Sequence, residues 1–349
     1  MATLKDISAE LGLSVATVSR ALNGFPEVKP ATRDKVRAAA ERLGYRPNRT
    51  AQRLVTGRSG MVGMIVKIRP DLSADQTFVE ILTGLTAGLA ARDVDLVLAV
   101  DQDPNPVAAY EKMLERDILD GFILNAPVPD DPRVAFLEGA GVPFVMHGQD
   151  REAPGYPFYG IDNLAVSSEA VGLLTALGHR RIALLNGSRE HAYAVDRASG
   201  FQAAMGQAGL AVPGPFLVSD APSESFGYSQ ALAMLAGHKG PPPTAFVCAS
   251  TLIAAGVMRA VADRGLSCPD DVSVMAHDDA LPQLRAINFT PALTVTRAPL
   301  RDACAPLANM LVDHIEGAEA RTLQTLIRAE LILRGSTGPV PEGGEIPWP

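Results

Sequence analysis

Hydrophobic and polar positions along this chain fall into two textures, and the change comes at Met61. Before it, apolar residues recur at helical spacing. Leu4, Ile7, Ser8 and Leu11 stand at i, i+3, i+4 and i+7, which is one face of a helix. Thr3, with Asp6 three residues on, makes an approximate capping box at its start. Gly12 then permits a sharp turn, because a residue without Cβ takes positive φ cheaply. Ser14 caps a second helix whose predicted inner face is Val15, Val18 and Leu22, and Ala9 is small where the two helices cross. A third helix is predicted over 32–43, ended by the Tyr45-Arg46-Pro47 stretch, since a residue before proline avoids helix. Asn48 can cap a further short helix over 49–55, stopped by Gly57. Such a segment is too short to hold in water unaided, so it folds only when packed.

After Met61 the pattern becomes alternating apolar runs and amphipathic stretches. MVGMIVKI, VDLVLAV, GFILNAP and PFVMHG read as buried parallel strands, with helices over 78–91, 107–116 and 133–139. A second series follows, with strands RRIALLNG, GPFLVSD, TAFVCAS and VSVMAHD and helices over 164–177, 197–208, 226–235 and 252–264. Strand and helix alternating twice imply two doubly wound α/β lobes that change over near 160–163. LTVTR at 293–297 and a helix over 300–317 read as a return to the first lobe, and AELILR at 329–334 as a last strand of the second. The Gly/Pro-rich stretch 338–349 reads as a loose tail.

Charge divides at the same place. Residues 1–60 carry a net +6 and the remainder −14, which the whole-chain value of −8 conceals. A basic head on an acidic body fits a DNA-binding module fused to a control domain. No apolar run approaches the roughly 18 residues of a membrane span, and the N-terminus shows no signal-peptide h-region. The expected location is therefore the cytoplasm, with no membrane partner. Cys248, Cys268 and Cys304 are widely spaced and odd in number, and they read as reduced thiols rather than as a disulfide or metal set. No cofactor or metal is expected. The sequence holds no GxSxG, GxxxxGK[ST], HExxH or strand-following GxGxxG, so catalysis is not expected.

Two short helices crossing at a glycine turn are a helix-turn-helix, whose second helix enters the major groove. Its outward residues are short or basic: Ala16, Thr17, Ser19, Arg20 and Asn23, while Val15 and Ala16 at the helix start could read only a thymine methyl or shape. Short side chains let backbone approach phosphate, and Arg20 can donate to guanine in bidentate fashion. Arg49, Arg53 and Arg58 supply further charge, and Leu54 suits a wedge between base steps in the minor groove.

The stretches LKDISAELGLSVATVSRALNG, TRDKVRAAAERLGYRPN and AQRL closely resemble the DNA-binding segment of the lactose-repressor (LacI-type) family. GHRRIALLNG, RASGF, PDDVSVMAHDD, PALT and LRGST extend that resemblance to about residue 337. It implies an all-α head joined to a periplasmic-binding-protein-like body of two parallel-sheet lobes. The implied division is a head at 1–47, a hinge helix and linker at 48–60, a first lobe at 61–161 plus 291–325 and a second at 162–290 plus 326–337. Three chain crossings are implied near 161–163, 290–293 and 323–327. The resemblance puts base reading on Val15, Ala16 and Arg20, adds Tyr45 to the DNA-contacting set, and implies the minor-groove role of Leu54. It also implies a repressor of a sugar-utilisation operon, controlled by a small effector between the lobes. Without a C-terminal leucine heptad, a homodimer on a palindromic duplex operator is expected.

In open α/β sheets ligands sit beyond the carboxyl ends of strands. Asp101, Asn125, His147, Asn186, Ser250 and Asp278 stand there, with Arg197 at the start of a predicted helix and Phe78 as an aromatic wall. Carboxylates and amides accept hydroxyl protons and arginine donates to oxygens, so the set suits a polyhydroxylated ligand. Asp279 and Thr251 read instead as capping residues. Ser250-Thr251 replaces the family's common Asn-Asp, and Ala276-His277 replaces a usual Gly-aromatic pair. The latter suggests the α-glucoside-operon branch. Other readings are a solute-binding protein of a transport system and a purine- or nucleoside-responsive regulator.

Overall fold

A computed structural model describes residues 2–22, 24–45, 57–67, 76–237 and 240–341. Asn23, and the segment carrying Arg49, Arg53 and Leu54, lie outside the described residues. The chain separates into two units, Met1–Gly60 and Met61–Pro349.

The first unit contains α1 (Leu4–Leu11), α2 (Val15–Leu22) and α3 (Pro30–Leu43). The capping box forms: the Thr3 amide donates to Asp6 Oδ2 at 2.7 Å. Gly12 takes φ 65° and ends α1 in the left-handed region. The Thr17 amide donates to Ser14 Oγ at 3.0 Å, which starts α2. Helix α3 begins two residues before the predicted start, because Pro30 occupies the first turn, where its missing N–H is no loss. Ile7, Val18, Ala21, Val28, Val36, Ala39 and Ala40 form the core of the unit. Val15 is 40% exposed and so is not part of the inner face of α2; Ala21 takes its place.

The second unit holds two six-stranded sheets. The first has the order β11-β5-β4-β3-β1-β2, with β1 (Met61–Lys67), β2 (Asp95–Asp101), β3 (Gly121–Leu124), β4 (Phe144–His147), β5 (Phe158–Ile161) and β11 (Gln324–Ile327). The second has the order β12-β10-β9-β8-β6-β7, with β6 (Ile182–Asn186), β7 (Leu217–Ser219), β8 (Ala245–Cys248), β9 (Ser273–Asp278), β10 (Thr294–Arg297) and β12 (Glu330–Ile332). All pairings are parallel except β10 with β12. The helices are α4 (Gln76–Ala90), α5 (Ala108–Leu114), α6 (Pro132–Gly139), α7 (Asn163–Ala176), α8 (Ala192–Gln207), α9 (Glu224–Leu235), α10 (Thr251–Asp263) and α11 (Leu300–Ile315).

One assignment made from the sequence needs correcting. LTVTR does not return to the first lobe: as β10 it pairs with β9 and β12 in the second sheet. The return follows it, between β10 and α11, and α11 then lies on α4, where Gly84 and Gly88 admit Cys304 and Ala308. The second crossing is therefore at 298–299 rather than 290–293, and β11 belongs whole to the first sheet. An apolar run of four or five residues fits either sheet equally, and pairing partners far along the chain decide. In the second lobe α9 and α10 meet backbone to backbone. A Cβ on Gly227 would collide with the Ile253 carbonyl, and one on Gly256 with that of Glu224.

Candidate ligand cleft and nucleic-acid interface

The carboxyl ends of β3 and β4 from one sheet, and of β9 from the other, bring a compact polar group together between the lobes. Asn125 and His147 come from the first lobe, with His147 Nδ1 and Asn125 Oδ1 3.0 Å apart. From the second lobe come Arg197, His277 and Asp279. Helix α8 begins at Ala192, so Arg197 lies in its second turn and not at its start. From there its guanidinium, in a residue only 5% exposed, donates from Nε to Asn163 Oδ1 at 2.9 Å and from Nη1 to the Ala249 carbonyl at 2.8 Å. The same group sits 5.1 Å from the Tyr193 ring centroid, close enough for cation–π attraction. Both oxygen partners are neutral, so the buried cation keeps its charge for something else in the cleft.

Asp279 is the complementary charge. Its Oδ1 lies 3.4 Å from His277 Nε2, while His277 Nδ1 is 3.1 Å from Thr296 Oγ1. Burial works to raise the Asp279 carboxyl, but the contact with His277 and the positive field of Arg197 hold it below the usual carboxylate range. Burial lowers His277, and the Arg197 charge lowers it further, against the raising pull of Asp279 and Asp278. Desolvation pushes His147 down to about 4 against the pull of Asp279 on the opposite lobe. The cleft thus presents a guanidinium, a carboxylate, two imidazoles and an amide. Alternating donors and acceptors of this kind match a molecule with several hydroxyls.

Other expected residues are placed differently. Asp278 does not face this group: its Oδ1 accepts from the Ala280 amide at 2.8 Å, and its Oδ2 is 3.8 Å from Arg297 Nε. The capping duty expected of Asp279 is performed by Asp278, and the two carboxylates exchange roles. Strand β9 ends at Asp278, so Asp279 lies in the loop beyond it, where its Oδ1 comes within 3.4 Å of His277 Nε2. Ser250 caps α10 by accepting from the Ile253 amide at 3.3 Å. Asp101, on edge strand β2, is engaged by the Lys67 ammonium and by the Asp103 amide at 3.0 Å. Phe78 packs against the first-lobe core. Asn163, which orients Arg197, is a residue the sequence reading missed; nothing local marks it, because its partner is 34 positions away.

On the first unit, α2 exposes Val15 and Ala16 at its start and Arg20 in its last turn, with Thr17 and Ser19 half-buried. The Thr17 hydroxyl is 2.8 Å from that of Ser14. Tyr45 packs half-buried against the helical core. Arg33 steadies the loop after α2 by donating from Nε to the Val28 carbonyl at 3.0 Å. A concavity beside α2 is lined by Thr17, Arg20, Lys29 and Thr32, groups of the kind that meet phosphate, together with Leu13, Val28 and the acidic Glu27.

Comparison with known proteins agrees with both halves. Residues 3–48 match the family model described as bacterial regulatory proteins, lacI family, and residues 171–337 match the periplasmic binding protein-like domain. The HTH-type transcriptional regulator AglR of Rhizobium meliloti (strain 1021) is 38% identical over 347 residues, covering 99% of this chain and 97% of the relative. The structure of the transcriptional regulator CelR–cellobiose complex is 28% identical, with a TM-score of 0.69 over 96% of this chain and 100% of that one. The lac repressor dimer bound to operator and the anti-inducer ONPF is 25% identical, with a TM-score of 0.77 over 97% of this chain and 99% of that one.

Proposed function

This chain belongs to the lacI family of bacterial regulatory proteins, and on that premise we propose that a sugar held in its cleft controls how tightly its head grips an operator. It is a DNA-binding transcriptional regulator, and its relatives are regulators rather than enzymes. No helix among the described residues is long and apolar enough to cross a membrane. We assign it to the cytoplasm, where its DNA is, and to a homodimer whose two heads face the two halves of a palindromic duplex. The observation that carries the sugar reading is the convergence of Arg197 and Asp279 with Asn125 and His147 from the opposite lobe. CelR, a relative of like fold, has been solved with cellobiose. AglR is the relative that favours the α-glucoside branch.

The roles follow from the chemistry. Arg197 donates to ligand oxygens, Asp279 accepts from hydroxyls, and Asn125 and His147 close on the ligand from the first lobe. In the head, Arg20 reads a base edge, while Ala16 and Val15 let the backbone come close. Repression is the direction we assign, with the sugar as inducer. The test is fluorescence anisotropy of a selected palindromic duplex, titrated with maltose, trehalose, melibiose and cellobiose at fixed salt. One sugar is expected to weaken specific binding by 1–3 kcal/mol, roughly 5- to 150-fold. If all four leave both the operator affinity and the melting temperature of the protein unmoved, the sugar reading fails. Arg20→Ala is expected to lose about 1–3 kcal/mol of operator affinity and to relax preference at one base pair per half-site. A loss spread equally over random duplex would show instead that Arg20 touches only phosphate.

A further inference from the structure

The loop that follows β3 is held by a buried ion pair that none of the roles above uses. Arg133 donates from Nε to Asp131 Oδ1 at 2.9 Å and from Nη2 to Oδ2 at 2.6 Å, a fork-to-fork pairing. The side chains are 14% and 1% exposed, so neither charge is offered to solvent. The guanidinium also reaches back along the chain, donating from Nη1 and Nη2 to the Asn125 carbonyl at 3.2 Å each. Asp131 in turn accepts from the Val128 amide at 3.1 Å and the Arg133 amide at 3.0 Å. Residues 125–133 are thereby closed into a ring of hydrogen bonds. Within the ring Ala126 sits at φ 50°, a left-handed conformation that an alanine keeps only when its surroundings impose it.

Two features project from this ring. One is the Asn125 side chain, beside His147. The other is the Pro127 carbonyl, which accepts from the Ala192 amide at 2.9 Å. Ala192 is the first residue of α8 in the second lobe, so this is a backbone bond across the cleft. A buried ion pair stabilises poorly compared with apolar packing of the same volume. Its contribution here is therefore to geometry. Lysine cannot supply it, because a point charge lacks the planar fork that grips a carboxylate and a carbonyl together.

We propose that Arg133, through its pair with Asp131, is a positioning residue that sets the 125–127 backbone so that one rigid loop carries both the ligand-facing amide and the bond between lobes. The consequence for ligand response rests on the cleft being the sugar site; the positioning itself does not. Hydrogen exchange on the full-length protein reads it directly, because Ala192 belongs to the lobe that Arg133 does not touch. In the Asp131→Asn/Arg133→Met double variant, exchange of the Ala192 amide is expected to rise at least about tenfold. The amides of Leu184 and Val247, inside the second-lobe sheet, keep their protection. Should that variant fold poorly, Arg133→Lys retains charge and bulk, and a smaller but clear rise at Ala192 is expected from it. Ala192→Pro checks the order of cause. Proline suits this first helical position, His191 before it being extended at φ −88° and ψ 137°, and it deletes the donor alone. The Val128 amide should stay protected, because the ring is set within the first lobe. Unchanged exchange at Ala192 in both Arg133 variants, or loss of Val128 protection in Ala192→Pro, would overturn the proposal. A wild type that answers none of the four disaccharides would defeat the sugar reading and leave the exchange results to decide this one.

Discussion

Arg197→Leu is expected to abolish the sugar response while leaving operator affinity within about twofold. The guanidinium is buried, oriented by Asn163 and the Ala249 carbonyl, and shares the cleft with the Asp279 carboxylate, so its loss removes the cationic donor to ligand oxygens. Leucine fills much of the volume and limits collapse of the site. Each hydrogen bond from a charged group is worth about 1.5–3 kcal/mol. Losing two to the ligand therefore costs at least about 3 kcal/mol, or more than a hundredfold in affinity, before any cross-lobe effect is counted. Isothermal titration with the responding sugar measures this, and retention of binding within about tenfold would remove Arg197 from the site. Lysine at this position is expected to behave nearly as badly, since it cannot hold Asn163 and Ala249 and also face the cleft.

The second large effect lies in the head. Ile7 is fully buried in a core of seven buried side chains. At about 0.05–0.15 kcal/mol per residue, a unit of this size has only a few kcal/mol of stability. Ile→Ala at a buried site costs roughly 2–5 kcal/mol, which is comparable to the whole margin. Ile7→Ala should therefore leave much of the head unfolded at 37 °C and weaken operator binding by the lost folded fraction. The body has its own cores, so its melting and its sugar binding should not move. Ile7 lies on α1, away from the outward face of α2, which separates this effect from the loss of a DNA contact. Operator affinity equal to wild type would mean that the head has a larger reserve than its core implies.

Much of the fold was legible because its signals are local. The Leu4, Ile7, Leu11 spacing, the Thr3–Asp6 box and Gly12 each act within one or two turns, and each appears in α1 as read. The alternation of strand and helix in the body is likewise a property of short windows. Where reading failed, one-dimensional information was insufficient or was misjudged. Val15 was assigned inward by spacing, but at the first position of α2 it lies beyond the reach of the core. Arg197 looked like a helix start because the true start, at Ala192, follows a histidine that offers no side-chain cap.

The sequence by itself determined that there is a basic helical head on a two-lobed parallel-sheet body, and which residue types crowd the strand ends. Backbone hydrogen bonding and side-chain burial within ten or twenty residues suffice for that. Only the tertiary structure decided which sheet takes 294–297, that Asp279 rather than Asp278 answers Arg197, and that the Pro127 carbonyl meets Ala192 from the other lobe. Each of those depends on groups brought together from distant parts of the chain, where distance and desolvation set the energy and sequence spacing carries no information about either.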